Sequence, residues 1–136
     1  VKVSECVSFL LVDSNKVLLE KRAMSKATDP GLITIPGGHV EGNETREQAL
    51  VRELQEELGL SPIKYTFLCT LYHPTAELQL IHYYIVDEWE GDIQTLEAEQ
   101  VMWCNLNSKL PLGIDADKIA LNEYTRLFKQ INSLST

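Results

Sequence analysis

The sequence predicts an α/β fold with a mixed β-sheet between helices, and three observations predict it. Strand-like and helix-like patterns follow one another as strands, helix, strands, helix. Both helical stretches carry an apolar stripe that needs a sheet face to cover it. The 136 residues are 44% apolar and 24% charged, which suits one domain, residues 1–136, with a real core.

Each element has a local reason. Residues 3–12 (VSECVSFLLV) and 16–22 (KVLLEKR) are β-rich runs separated by Asp13-Ser14-Asn15, the pattern of a hairpin. SKATDPGL (25–32) is loop-like, with Pro30-Gly31 as a turn signal. A short strand, LITI (32–35), runs into Pro36-Gly37-Gly38. The first helix starts at Thr45, which forms a capping box with Gln48, and stops at Gly59. Leu50, Leu54 and Leu58, with Val51, form its apolar stripe. Residues 65–72, 78–89 and 100–106 read as further strands. From Asp117 to about Ile131, residues Ala120, Tyr124, Leu127, Phe128 and Ile131 keep helical spacing.

A formal charge of −8, from 20 acids against 12 Lys and Arg, argues against polymeric nucleic acid and anionic membranes as partners. It leaves room for a small anionic substrate with a cation between ligand and protein. No run approaches the ~18 apolar residues of a membrane span, and no secretory signal pattern is seen. Cys6, Cys69 and Cys104 are scattered in apolar sequence and read as buried thiols of a reducing compartment, by default the cytoplasm.

Three carboxylates pose a physical problem. Glu53, Glu56 and Glu57 stand at i, i+3 and i+4 with no lysine between them, within an arc of about 100° of the helix. They flank the leucine stripe, so they are expected at the rim of the buried face and partly out of water. Clustered oxygens of this kind suit a hard divalent cation, Mg²⁺ or Mn²⁺, rather than zinc. The preceding glycine pair lets backbone carbonyls approach the same ion, and Arg52 is placed to orient an acid.

The wider pattern sharpens this reading. Gly38, five residues, Glu44, seven residues and then RELQEELGL (52–60) resembles the Nudix box, G-x5-E-x7-R-E-U-x-E-E-x-G-U with U aliphatic, at all nine specified positions. From average residue usage, a chance match at a given start is on the order of one in a billion or rarer. VLLEKR before the box, PGG leading into it and YYIVDEWEG after it are similar to the MutT-like branch of Nudix hydrolases.

That resemblance implies an α/β/α sandwich and cleavage of nucleoside diphosphates linked to another group, with Mg²⁺ or Mn²⁺. It implies Glu53, Glu56 and Glu57 as metal ligands with the Gly37 carbonyl, oriented by Arg52 and Glu44. A further acid is expected from QTLEAEQVMW, Glu97 before Glu99, and the general base would be Glu53 or Glu97. Arg22, Gly38 and His39 would face the substrate phosphates, His39 standing where the branch's type protein has lysine. Asp117, or Asp115, would meet the nucleobase, for which helix capping is the alternative role. His73 and His82 read as packing or surface residues, and Trp89 and Trp103 as core or pocket-rim residues.

The expected reaction is Mg²⁺-dependent hydrolysis of a nucleoside triphosphate, ordinary or oxidised, to the monophosphate and pyrophosphate, by a monomer or homodimer. An ADP-sugar or dinucleoside polyphosphate is the neighbouring alternative. A non-catalytic nucleotide sensor would have lost box acids, and this chain retains them.

Overall fold

The computed structural model describes residues 1–135, with side chains through residue 128. Its elements are β1 (Val3–Asp13), β2 (Lys16–Lys21), β3 (Ile33–Thr34), β4 (Gly37–His39), α1 (Arg46–Leu58), β5 (Ser61–Pro74), β6 (Leu78–Glu90), β7 (Gln100–Asn105) and α2 (Asp115–Ser135). β1 and β2 form the expected hairpin, and Ser14 and Asn15 adopt φ of 48° and 64° at its turn. Positive φ at both loop positions matches the twist of the paired strands.

β1 is the spine of a seven-stranded sheet ordered β3-β2-β1-β6-β5. It runs parallel to β6 from Val3↔Leu78 to Leu11↔Val86, and every other pairing is antiparallel. On the opposite edge β1 splits its partners. Cys6, Val7 and Ser8 pair with β4, whereas Val12 and Asp13 pair with β2. Between the two, Phe9 N–H donates to Pro36 O. β2 also carries β7 along its length, from Lys16↔Asn105 to Lys21↔Gln100.

The pleat of β1 sorts the core into two layers. Val7, Phe9 and Leu11 join Leu50, Leu54 and Leu58 of α1 on one face, while Cys6 and Leu10 join Ala116, Ala120, Leu121 and Tyr124 of α2 on the other. The result is the expected sandwich with a mixed sheet between helices. Among the described residues no helix is long and apolar enough to cross a membrane.

Several expectations need adjusting. The 32–35 strand shrinks to Ile33–Thr34, because Pro36 has no N–H to continue a ladder. β5 is longer than its apolar pattern, since Ser61–Lys64 are recruited by pairing with β6. Val51 is 45% exposed and does not share the leucine stripe. Cys6 is buried, but Cys69 and Cys104 are only partly so. Ile131 lies beyond the described side chains. α1 follows the reading closely: Thr45 and Gln48 form a complete capping box, and Gly59 ends the helix at φ 72°.

One buried tie joins the layers near the future site. Asp117, on the first turn of α2, is 1% exposed. Its Oδ2 accepts from Ile35 N–H at 2.8 Å and its Oδ1 from Tyr83 O–H at 2.7 Å. Ile35 falls between β3 and β4, so the carboxylate satisfies an amide the sheet leaves over. Burial pushes Asp117 up to about 6, against the pull of those two donors. A carboxyl raised above its unfolded value favours the fold while protonated, and that contribution fades as pH climbs from about 4 through about 6. Asp117→Asn should therefore flatten the pH dependence of stability across this window, by on the order of 1–3 kcal/mol. Urea titrations at pH 4 and pH 7 would check it, and parallel curves for the two proteins would refute it.

Candidate active site

A cleft of about 560 Å³ opens where β4 meets α1, walled by the 22–29 loop on one side and the start of β6 on another. Gly37, Gly38, Glu53, Glu57 and Glu97 line it, with Arg22, Lys26, His39 and Asp117. Most of the residues singled out in the sequence therefore converge, although they come from five segments of the chain.

The apolar stripe of α1 explains the acid geometry. Leu50, Leu54 and Leu58 turn into the core, so Glu53 and Glu57 beside them are carried inside, 6% and 4% exposed. Glu56 falls on the outer side, its side chain 47% exposed. Burial raises Glu53, with Arg52 pulling the other way. Glu57 is also pushed up, by burial first and then by the charges of Glu20 and Glu97.

Arg52 organises one half of the cluster. Nε and Nη2 grip the two Glu44 oxygens at 2.7 and 2.9 Å, and Nη2 also donates to His39 O at 2.9 Å. Nη1 donates to Glu53 Oε1 at 2.8 Å and Glu56 Oε2 at 3.0 Å. These five bonds match the five N–H donors of a guanidinium. The Arg52 fork, with the Glu41 N–H, holds Glu44 well down, at about 2. Arg52 and Glu44, expected to orient the acids, are thus bonded to each other, and Arg52 also bonds Glu53 and Glu56.

The two glycines matter for different reasons. A Cβ at Gly37 would sit 2.1 Å from Val7 O, so the β1–β4 pairing demands its absence. A Cβ at Gly38 would sit 2.2 Å from the Glu53 carboxyl carbon. The backbone of β4 and the acid of α1 therefore touch directly.

The remaining candidates separate clearly. Glu97 lines the cleft and meets Lys26 Nζ at 3.4 Å, whereas Glu99 pairs with Lys21 at 3.5 Å outside it. Arg22 lines the cleft while donating to Thr28 O at 2.9 Å. His39 Nε2 lies 2.6 Å from Glu77 Oε1, spanning the cleft mouth. Asp117 lines the cleft, but Asp115 does not; its side chain is 94% exposed beside Lys118. His73 and His82 are buried, the first against Asp29 Oδ2 at 2.9 Å and the second against Thr70 Oγ1 at 2.8 Å. Trp89 and Trp103 stack on each other at 6.3 Å and lie outside the cleft rim.

The sequence reading missed Glu20, Lys26 and Glu77. Lys26 and Glu77 lie in turns with no motif to mark them. Glu20 left a signal: a lone acid within KVLLEKR, a run whose neighbours are buried on both faces.

Does the site fit a divalent cation? Its donors are carboxylates and backbone carbonyls, the hard oxygens that Mg²⁺ and Mn²⁺ prefer. Glu53 and Glu57 are buried at the cleft, and among the described residues Glu20 Oε2 is buried with no hydrogen-bond partner. Among the described residues no three His, Cys, Asp or Glu side chains already close around one point. Arg52 and Lys26 hold Glu53, Glu56 and Glu97 in their present poses. The donor chemistry fits, and closing on an ion requires rotamer changes.

Similarity to known proteins gives the class, a hydrolase acting on phosphoric anhydride bonds. The chain belongs to the Nudix family: the NUDIX domain model matches residues 4–123. It is 30% identical to the 8-oxo-dGTP diphosphatase of Escherichia coli (strain K12) over 117 residues, covering 85% of this chain and 86% of that protein. It is 29% identical to the CTP pyrophosphohydrolase of the same organism, covering 90% of each. The crystal structure of a MutT NUDIX hydrolase from Burkholderia pseudomallei superposes with a TM-score of 0.81 at 28% identity, covering 90% of this chain and 98% of that one.

Two predictions follow from the geometry. Gly37→Ala must move backbone and should lower the melting temperature markedly, whereas Gly38→Ala displaces a side-chain end, keeping the fold while losing most turnover. Melting curves and rates measured together would show this split; equal stability losses would contradict it. Arg52→Lys keeps the charge but not the fork, so kcat should fall roughly 10–100-fold with stability reduced by about 1–3 kcal/mol. Unchanged kcat would show that the fork does not position the acids.

Proposed function

We propose that this domain, residues 1–136, hydrolyses a nucleoside triphosphate, ordinary or oxidised, to the monophosphate and pyrophosphate with Mg²⁺, for which Mn²⁺ substitutes. The observation that carries the reading is the pair of buried carboxylates, Glu53 and Glu57, facing the same cleft as Glu97, Arg22 and Lys26. Gly37, through its carbonyl, and Glu53, Glu56, Glu57 and Glu97 would hold the cation. When bound, the cation supplies charge neutralisation and an activated water.

The chain's own groups do the positioning. Arg52 and Glu44 lock Glu53, and the β4 backbone backs it through Gly38. Arg22, Lys26 and His39 receive phosphate oxygens, the two strong cations adding charge-assisted hydrogen bonds. Glu53 or Glu97 takes the proton from water attacking in line with the leaving phosphate, at the β-phosphorus. Most of the rate gain comes from placement and electrostatics rather than covalent chemistry. Asp117 is the base-facing acceptor of the cleft, where amino or imino hydrogens of a base would share oxygens now engaged by Ile35 and Tyr83.

The test is pyrophosphate release from a panel of canonical, oxidised and methylated nucleoside triphosphates, with ADP-ribose and a dinucleoside polyphosphate included, in Mg²⁺. One triphosphate should dominate, and Glu53→Gln should reduce its kcat by at least about 10²-fold. Turnover confined to ADP-ribose or the dinucleotide would reject the triphosphate, and no turnover at all would reject hydrolysis of every substrate in the panel.

A further inference from the structure

Asp29 holds a backbone conformation that its sequence disfavours. Its φ is 49° although Pro30 follows it, and a residue before proline is pushed toward extended backbone. Aspartate enters the left-handed region more readily than most residues, but still at a cost. Two bonds keep it there. Leu32 N–H donates to Asp29 O at 3.3 Å, and Nε2 of His73, a buried residue of β5, donates to Asp29 Oδ2 at 2.9 Å. Strain of this kind persists where surrounding contacts over-determine it, and ligand clamps are among the places where it gathers.

The pose has a chemical consequence. With Oδ2 spent on His73, Asp29 Oδ1 takes no hydrogen bond among the described residues, and it keeps accessible surface in a residue that lines the cleft. Asp117 lines the same cleft with both oxygens engaged, by Ile35 and Tyr83. Asp29 is the readier acceptor of the two. The 22–32 loop closes on itself through Arg22 and Leu32, and its side chains are tied to different elements. Lys26 reaches Glu97, in the connection between β6 and β7. Asp29 reaches His73, whose register partner on β6 is Gln79, itself a cleft residue. The loop thus offers a cation toward Glu97 and an anion toward β5 and β6. A carboxylate repels phosphate and accepts N–H and O–H groups. In a nucleotide those donors lie on the base and the sugar.

We infer that Asp29 is a specificity-determining residue: its Oδ1 accepts a hydrogen bond from an amino or hydroxyl group of the substrate's nucleoside part, and His73 positions it. The inference rests on the nucleotide reading above and names how the uncharged end of the substrate is read. Arg22 and Lys26 serve the phosphates, while Asp29 asks for a donor. A nucleotide without that donor would leave the carboxylate stripped of water and facing no partner, which costs more than the bond itself is worth. A simple tie between the loop and β5 needs only Oδ2 and is indifferent to the base or sugar that enters.

Calorimetric binding of nucleoside monophosphates to the full chain, with kinetics on the matching triphosphates, tests this in pairs that differ by one donor. The base pairs are guanosine against inosine, adenosine against purine riboside, and cytidine against pyrimidin-2-one riboside; the sugar pairs set ribose against its 2′- and 3′-deoxy forms. The wild type should favour the donor-bearing member of at least one pair by about ten-fold or more. A response in the base pairs assigns the donor to an amino group, and one in the sugar pairs to a hydroxyl. Asp29→Asn keeps a side chain suited to the left-handed region and able to meet His73, but turns an NH₂ group toward the ligand. It should melt within a few degrees of the wild type and lose most of the preference, through KM rather than kcat. His73→Ala should lose the preference as well, and His73→Gln, which retains a donor, should keep part of it. A wild type indifferent within every pair, or unchanged preferences in Asp29→Asn, would overturn the inference. An equal loss for both members of every pair would also overturn it, leaving Asp29 as a tie between the loop and β5. A wild type that binds no monophosphate and hydrolyses no triphosphate would overturn the nucleotide reading itself, and this inference with it.

Discussion

The Arg52 guanidinium is the interaction on which the site depends. One side chain joins the loop before α1 through Glu44, the helix through Glu53 and Glu56, and β4 through the His39 carbonyl. Glu53 is buried, and a buried carboxylate without a partner costs several kcal/mol. Arg52 removes much of that cost and sets the rotamer at the same time, since its planar fork fits carboxylates in one orientation. It cannot neutralise Glu44, Glu53 and Glu56 together. Three carboxylates against one guanidinium leave the cluster net negative.

Core packing supplies the other half of the constraint. Leu50, Leu54 and Leu58 must face the sheet, and helical geometry then carries Glu53 and Glu57 to the edge of the same interface. Hydrophobic burial of the leucines thus holds two charges where water is scarce. The same docking presses Glu53 against Gly38, whose missing side chain makes the approach possible. Stability and site geometry are set by one helix–sheet contact.

The far wall is held by separate ties. Arg22 closes back on Thr28, and His73 holds Asp29, which adopts a left-handed φ of 49°. Asp117 fastens α2 to the β3–β4 connection and to Tyr83. His39 and Glu77 bridge the mouth, and Glu77 also accepts from Ser4 and Gln79. With its walls tied in this way, the cleft has a shape before any ligand enters, so less ordering entropy is lost on binding.

By itself the sequence determined what depends on neighbours a few positions apart. The Ser14-Asn15 turn, the Thr45–Gln48 capping box, the Gly59 stop and the acid spacing on α1 are all local, and all were legible. The motif also announced Arg52 and Glu44 as partners, because both lie within it. Tertiary structure decided what depends on distance through space. It placed Glu97 and Asp117 in the cleft wall and left Glu99 and Asp115 outside it, and it brought Lys26 to Glu97. These outcomes hinge on strand register and on which face a loop presents, where a shift of one residue reverses a side chain. Such information is stored in the packing of the whole sheet against α1 and α2, and no short stretch of chain contains it.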